Sequence, residues 1–243
     1  MKTKFQGIPL IEMPENIPSY NFLQGEFGKE FLKEYNKLIK SDYKNNSNLK
    51  ILNFKENIVK GSNIYSVFLA NDILSLCRLR TATPADIQKI IDKDKNFLSH
   101  FYVDLGIVLR TENNPNEYLA KQLGKQAKER GYKFSNKSPL VFKTSDLGLI
   151  LDNNSDSGLG FKIKESASPI NVLQFDNKNN NKIFNQTENG YPILIFDKYK
   201  DRTLYTIDEG LSGFLLGSNS YLDSGNGGLA VSASIGRIVV VNK

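Results

Sequence analysis

Few side chains in this sequence have the type and spacing that chemistry demands. Asp152, Asn154 and Asp156 put oxygen ligands at alternate positions, as a calcium loop does. Gly158 falls one residue late for that loop, however, and Ile163 stands where a bidentate Glu belongs. The stretch reads as a polar turn. Cys77 stands between leucines in Leu76-Cys77-Arg78-Leu79, the setting of a core cysteine, and His100 is the sole imidazole available to activate it. One cysteine excludes an internal disulfide and a cysteine zinc cluster, and one histidine excludes a two-histidine mechanism. Asp86, Asp104, Glu112 and Asp146 form no recognisable carboxylate pair for glycosidase chemistry. Gly225-Asn226-Gly227-Gly228 precedes neither a Lys nor a helix signature, so it is not a phosphate cradle. These residues predict recognition without catalysis, with no metal and no cofactor.

The elements that would position a recognition surface are legible in part. Phe27, Phe31, Leu32, Tyr35, Leu38 and Ile39 recur at spacings of three and four, which predicts an amphipathic helix. Residues 41–50 read as an asparagine-rich loop. Residues 51–54 and 64–69 read as short strands or pieces of a buried element, and the apolar run 72–79 has no period that assigns it. Thr83-Pro84-Ala85-Asp86 is a helix start: a hydroxyl cap, a proline where no N–H bond is lost, and a carboxylate in the first turn. Ile87, Ile90 and Ile91 form its buried stripe. Residues 101–111 alternate as a strand. Asn114-Pro115-Asn116-Glu117 repeats the helix-start logic, with Tyr118, Leu119, Leu123 and Ala127 inward and a stop at Gly131. Beyond Gly131 the pattern changes to short strands at 147–151, 159–163, 169–175, 191–196, 203–207 and 237–241. The second of these closes a hairpin on the first, and 176–189 is a polar loop. The terminal Ile238-Val239-Val240-Val241 wants a central place in a sheet. The sum is an α+β fold, helices mostly early and strands mostly late.

Composition sets the class. The chain has 243 residues, 40% hydrophobic and 24% charged, as a soluble globular protein does. No run of about 18 apolar residues exists to span a membrane. The short apolar stretch near the start is broken by Glu12 and Glu15, so no signal peptide is read there. A cytoplasmic location is expected, with non-classical export or a virion as compatible alternatives. The net charge is +6, but only 6 of the 32 basic residues are Arg and the lysines are scattered. Nucleic acid is therefore not the expected partner, although a basic nucleic-acid binder stands as the alternative function, beside an enzyme on the same scaffold.

The unusual feature is the C-terminal stretch. Residues 211–236 hold 6 Gly and 6 Ser, and Asp223 is the only acid or base among them. Leu211, Leu216, Leu222 and Leu229 are spaced as anchors, and Val231, Ala233 and Ile235 alternate with Ser232 and Ser234. Tyr, Ser, Gly and Asn between anchors are the residue types of adaptable binding surfaces. The widely spaced leucines, the Leu229-Ala230-Val231-Ser232-Ala233-Ser234 stretch and the Gly236-Arg237 entry to a closing strand resemble the variable region of diversity-generating retroelement target proteins. In that family adenine-directed mutation of a template gives access to a restricted residue set without Lys, Glu, Gln, Met or Trp. Every residue from Gly210 to Asn242 fits that set. Arg80-Thr81-Ala82-Thr83-Pro84 is similar to the helix start of such domains. The resemblance implies a C-type-lectin-like domain over residues 80–243, a helical or mixed region over 1–79, and a hypervariable region at 211–236. It implies a protein or cell-surface ligand. The binding residues it implies are Leu215, Gly217, Ser218, Asn219, Tyr221, Asp223, Asn226, Val231, Ala233 and Ile235, with Tyr221 as the main anchor. The terminus differs from the family's usual Gly-Phe-Arg, and the chain has no Trp.

Overall fold

The computed structural model describes residues 20–196 and 202–243, with the paired strands Lys4–Phe5 and Ile8–Pro9. The fold is mixed α+β. Among the described residues are four α-helices: α1 Gly25–Asp42, α2 Ile64–Ser75, α3 Pro84–Lys93 and α4 Glu117–Glu129. The main sheet has eight strands. Its path runs Ile170–Asn171, Leu140–Lys143, Tyr102–Leu109, Leu211–Leu216, Leu222–Asn226, Arg202–Tyr205 and Lys182–Phe184, and Gly236–Arg237 lies parallel to the start of Tyr102–Leu109.

Sequence chemistry explains these elements locally. Phe27, Phe31, Tyr35 and Ile39 of α1 are buried on one face, as their spacing predicts. At α3, Thr83 Oγ1 accepts from the Asp86 amide at 3.3 Å and Asp86 accepts from the Thr83 amide at 2.8 Å, a closed capping box. The same carboxylate pairs with Arg80. α2 lies where the sequence showed only apolar pieces at 64–69 and 72–79. Ten of its twelve residues are buried, so no polar face exists to betray its period. Its start is nevertheless capped: Asn63 Oδ1 accepts from the Ser66 amide at 2.9 Å, and Ser66 Oγ accepts from the Asn63 amide at 2.9 Å.

α4 corrects two expectations. The helix starts at Glu117 rather than at Pro115, so Asn114 does not cap it; Asn116, the residue at the cap position, is left-handed at φ 62° and its side chain makes no capping bond. Tyr118 does not face inward but is 42% exposed. The Leu147–Leu151 and Leu159–Ile163 strands do form an antiparallel hairpin, Phe161 opposite Leu149. Phe161 stacks on Tyr65 of α2 at 5.6 Å between ring centroids, which fixes the hairpin on the helix. The expected strands at 169–175 and 191–196 shrink to Ile170–Asn171 and Tyr191–Pro192.

Two apolar clusters line the two faces of the sheet. Val103, Leu105 and Val108 belong to one, with α3; Ile107 and Leu109 belong to the other, with α1, α2 and α4. Simple alternation would not put Leu105 and Val108 together. The register with the Leu211–Leu216 strand slips between Phe214 and Leu215, a bulge at Leu105-Gly106 that restores the parity. Gly106 sits there at φ +155°, and a Cβ would meet the Phe142 carbonyl oxygen at 2.0 Å.

The closing strand Val239–Asn242 lies between Tyr20–Phe22 and Leu79–Thr81, antiparallel to both, the central place its composition calls for. Residues 23–79 and residues 107–240 contribute to one continuous apolar cluster, so no packing boundary falls at residue 79.

Candidate functional site

A groove of about 690 Å³ opens where three segments converge: the start of α4, the hairpin loop at 155–157, and Gly227–Val231 from the glycine- and serine-rich stretch. Its lining mixes amides and hydroxyls with the apolar Leu119, Leu229 and Val231. Glu117, Lys121 and Asp156 bring charge. Glu117 and Lys121 pair with each other, which leaves Asp156 as the carboxylate of the hairpin wall.

Asparagine amides build the groove. Asn116 Nδ2 donates to the carbonyls of Leu211 at 2.7 Å and Gly227 at 2.9 Å, clamping the sheet strand and the returning chain to the start of α4. Asn46 and Asn48 Nδ2 both donate to the Ser157 carbonyl, at 2.7 and 3.0 Å, and hold the hairpin loop. Asn63 Nδ2 donates to the carbonyls of Asn48 at 2.9 Å and Ala230 at 3.1 Å. Asp152 accepts from Tyr118 Oη at 2.9 Å and from Gln122 Nε2 at 2.7 Å, so this carboxylate ties the hairpin loop to α4.

From Gly227 the chain runs along the sheet to Gly236, which pairs with Tyr102. Its backbone is pinned on the way. Besides the Ala230 contact, Ser232 Oγ donates to the Gly61 carbonyl, the Ala233 amide donates to Tyr102 Oη at 3.1 Å, and the Gly61 amide donates to the Gly236 carbonyl at 3.2 Å. Tyr102 Oη in turn donates to the Ser62 carbonyl at 2.8 Å. Between these pins the side chains point out: Val231 is 65% and Ile235 45% exposed, and Ala233 is exposed.

The ten residues expected to bind divide. Val231, Ala233 and Ile235 are on the surface, and Val231 lines the groove. Leu215 is not: it is 6% exposed in a strand whose six residues are all buried. Gly217 is buried beneath Tyr221, whose ring would lie 2.0 Å from a Cβ there. Tyr221 is half-buried and packs edge-on against Tyr205, so its ring caps a turn rather than standing free as an anchor. Ser218, Asp223 and Asn226 are half-buried; Asp223 accepts from the Gly225 amide at 2.7 Å and Asn226 from the Gly228 amide at 3.1 Å. The Asn219 side chain lies outside the described residues.

Two buried ionisable groups were not foreseen. Arg110 is fully buried, and no carboxylate forms an ion pair with it among the described residues. Its guanidinium donates to Ser212 Oγ and Thr206 Oγ1 at 2.8 Å, and to the Ser224 carbonyl and Oγ at 2.8 and 2.9 Å. Each hydroxyl passes its own hydrogen on to a backbone carbonyl: Thr206 to Phe175, Ser212 to Ser224, Ser224 to Tyr205. Burial pulls the guanidinium down to about 10, against the pull of Asp223 and Asp208. Arg110 thus ties together strands 202–205, 211–216 and 222–226. In sequence it reads only as the polar end of an apolar strand. Asp104 is the second group. It accepts from Ser62 Oγ at 2.9 Å, and burial pushes its carboxyl up to about 7. Burial also raises the thiol of Cys77, which weakens it as a nucleophile.

No protein-family model, curated protein or solved structure matches this chain. No described helix is long and apolar enough to cross a membrane.

Proposed function

We propose that this chain is a ligand-binding protein that recognises its partner without catalysis, through the groove and the exposed run 230–235 beside it. One observation carries the reading. The 230–236 segment is held at Ala230, Ser232, Ala233 and Gly236, while the side chains of Val231, Ala233 and Ile235 project into solvent. A fixed backbone with free side chains binds without an ordering penalty and tolerates exchange of those side chains. Exposed apolar side chains beside a polar groove suit a protein or cell-surface ligand.

The same arrangement supports a diversified surface of the kind made by diversity-generating retroelements, on a C-type-lectin-like scaffold. The closing strand beside Tyr20–Phe22 and the hairpin-borne groove belong to that proposal. Sequencing this locus across its source population tests it. The expected result is a nearby near-copy of codons 211–236, with substitutions at adenine-matched positions concentrated on Val231, Ala233 and Ile235. Leu215, Gly217 and Leu229 should stay fixed, since each is buried. Fixed codons and no near-copy would refute the diversified reading. Substitutions falling equally on buried positions would refute the placement of the surface.

A further inference from the structure

Asp104 lies at the root of the binding segment. The only hydrogen-bond partner of its carboxylate among the described residues is the Ser62 hydroxyl at 2.9 Å. Ser62 belongs to the Gly61-Ser62-Asn63 turn that holds residues 230, 232 and 236, and its carbonyl receives Tyr102 Oη, which holds Ala233. These holds on the 230–236 backbone run directly, or through Tyr102, to Gly61, Ser62 and Asn63, and Ser62 is bonded to one buried carboxyl.

Among the described residues no cation offsets that carboxyl. Tyr102 on its own strand interacts with it; Tyr221 and Arg237 act on Tyr102 in turn, and Arg237, from the strand paired at Val103, is also attracted by Glu56. The Leu211–Leu216 strand brings no charge. Of the ionisable groups on α2, Tyr65 faces Ser157 and Asp72 binds Lys164 at 2.6 Å. The Leu140–Lys143 strand brings Lys143, opposite Gly106. α4 carries Glu117, Lys121, Lys125, Lys128 and Glu129, with Lys128 committed to Glu112 at 2.9 Å. Lys60, which ends the strand Ile58–Lys60 before Gly61, is committed to Glu56.

We propose that Asp104 is a pH-sensitive latch: protonated, it keeps the 61–63 turn and the 230–236 segment closed on the sheet, and ionised, it releases them. This rests on reading 230–236 as the recognition segment. In an opened segment Asp104 regains the ordinary carboxyl range near 4. In the closed one burial, offset in part by Ser62, pushes it up to about 7. Opening therefore loses a proton between those values. It becomes up to about tenfold more frequent per pH unit from about 4 to 7, and levels off above. The surface is firmest in mild acid and loosest at neutral pH.

Amide hydrogen exchange tests this on the full chain, with rates corrected for intrinsic exchange. Between pH 5 and 7.5 the protection of the Gly61 and Ala233 amides should fall on the order of 50–100-fold. In Asp104→Asn, which keeps an oxygen for Ser62 and cannot ionise, the fall should vanish. An equal fall in the variant overturns the proposal. So does an equal fall at Ile107 and Val108, because Asp104 would then act on the whole fold. Should Asp104→Asn not fold, the carbon-13 titration of the Asp104 carboxyl decides: a midpoint near 7 is expected, and one near 4 overturns the latch. No ligand enters these readouts, so a failed latch leaves the binding reading standing, and fixed codons at the locus leave the latch standing.

Discussion

The two halves of the stretch 211–236 share one composition, rich in Gly and Ser and nearly free of charge, yet they do opposite work. Residues 211–216 form a strand buried at every position, joined through Arg110 to the strand 222–226. Residues 227–235 leave the sheet, and most of their side chains reach solvent. In the first half Ser212 and Ser224 are hydrogen-bond partners for a buried cation. In the second, Ser232 fastens the backbone, and the apolar side chains between the fastenings are free. Composition marks both halves as small and polar; the partner that each hydroxyl meets decides which is scaffold and which is surface.

Breaking the scaffold half should produce the largest effect. Arg110→Ala leaves a cavity and strips the partner from Ser212, Thr206 and Ser224 at once. A loss on the order of 3–5 kcal/mol is expected in urea unfolding. A loss under about 1 kcal/mol would mean the three strands hold without the guanidinium.

Gly217→Ala comes next. The added methyl meets the Tyr221 ring, and displacing it should cost about 1–3 kcal/mol. In a Tyr221→Ala background the same change should cost almost nothing, and this coupling is what a thermodynamic cycle reads. Additive losses would show that the ring does not rest on Gly217.

The smallest effects belong to the surface half. Val231→Ser and Ile235→Ser should each change stability by less than about 0.5 kcal/mol, since both side chains are largely in water. A loss above about 1.5 kcal/mol at either would make 227–235 part of the core.

The same contrast explains what sequence could reveal. α1, α3 and the hairpin were readable because each has a two-sided pattern or a capping signal that water and core impose together. α2 was not, since a helix buried on nearly all sides shows no period; its Asn63–Ser66 capping box was the one local signal present. Tyr118 was misplaced because its spacing fits the buried stripe of α4, while the Asp152 carboxylate that holds its hydroxyl lies in a loop 34 residues away. At the site, the exposed alternation of Val231, Ala233 and Ile235 was legible. The burial of Leu215 was not, because it depends on strand order: the neighbour of 211–216 is 102–109, far off in sequence. Arg110 and Asp104 carried no sequence signal either, since an ionisable residue inside an apolar strand looks like a surface residue until the opposite face is known to be covered.

A saturation scan of positions 211–236, each variant read for folding by soluble yield and protease resistance, tests this division of labour most directly. The account predicts a sharp step: near-complete intolerance of charged residues at 211–217, and free exchange at 231, 233 and 235. Uniform tolerance across both halves, or intolerance extending through 235, would contradict it.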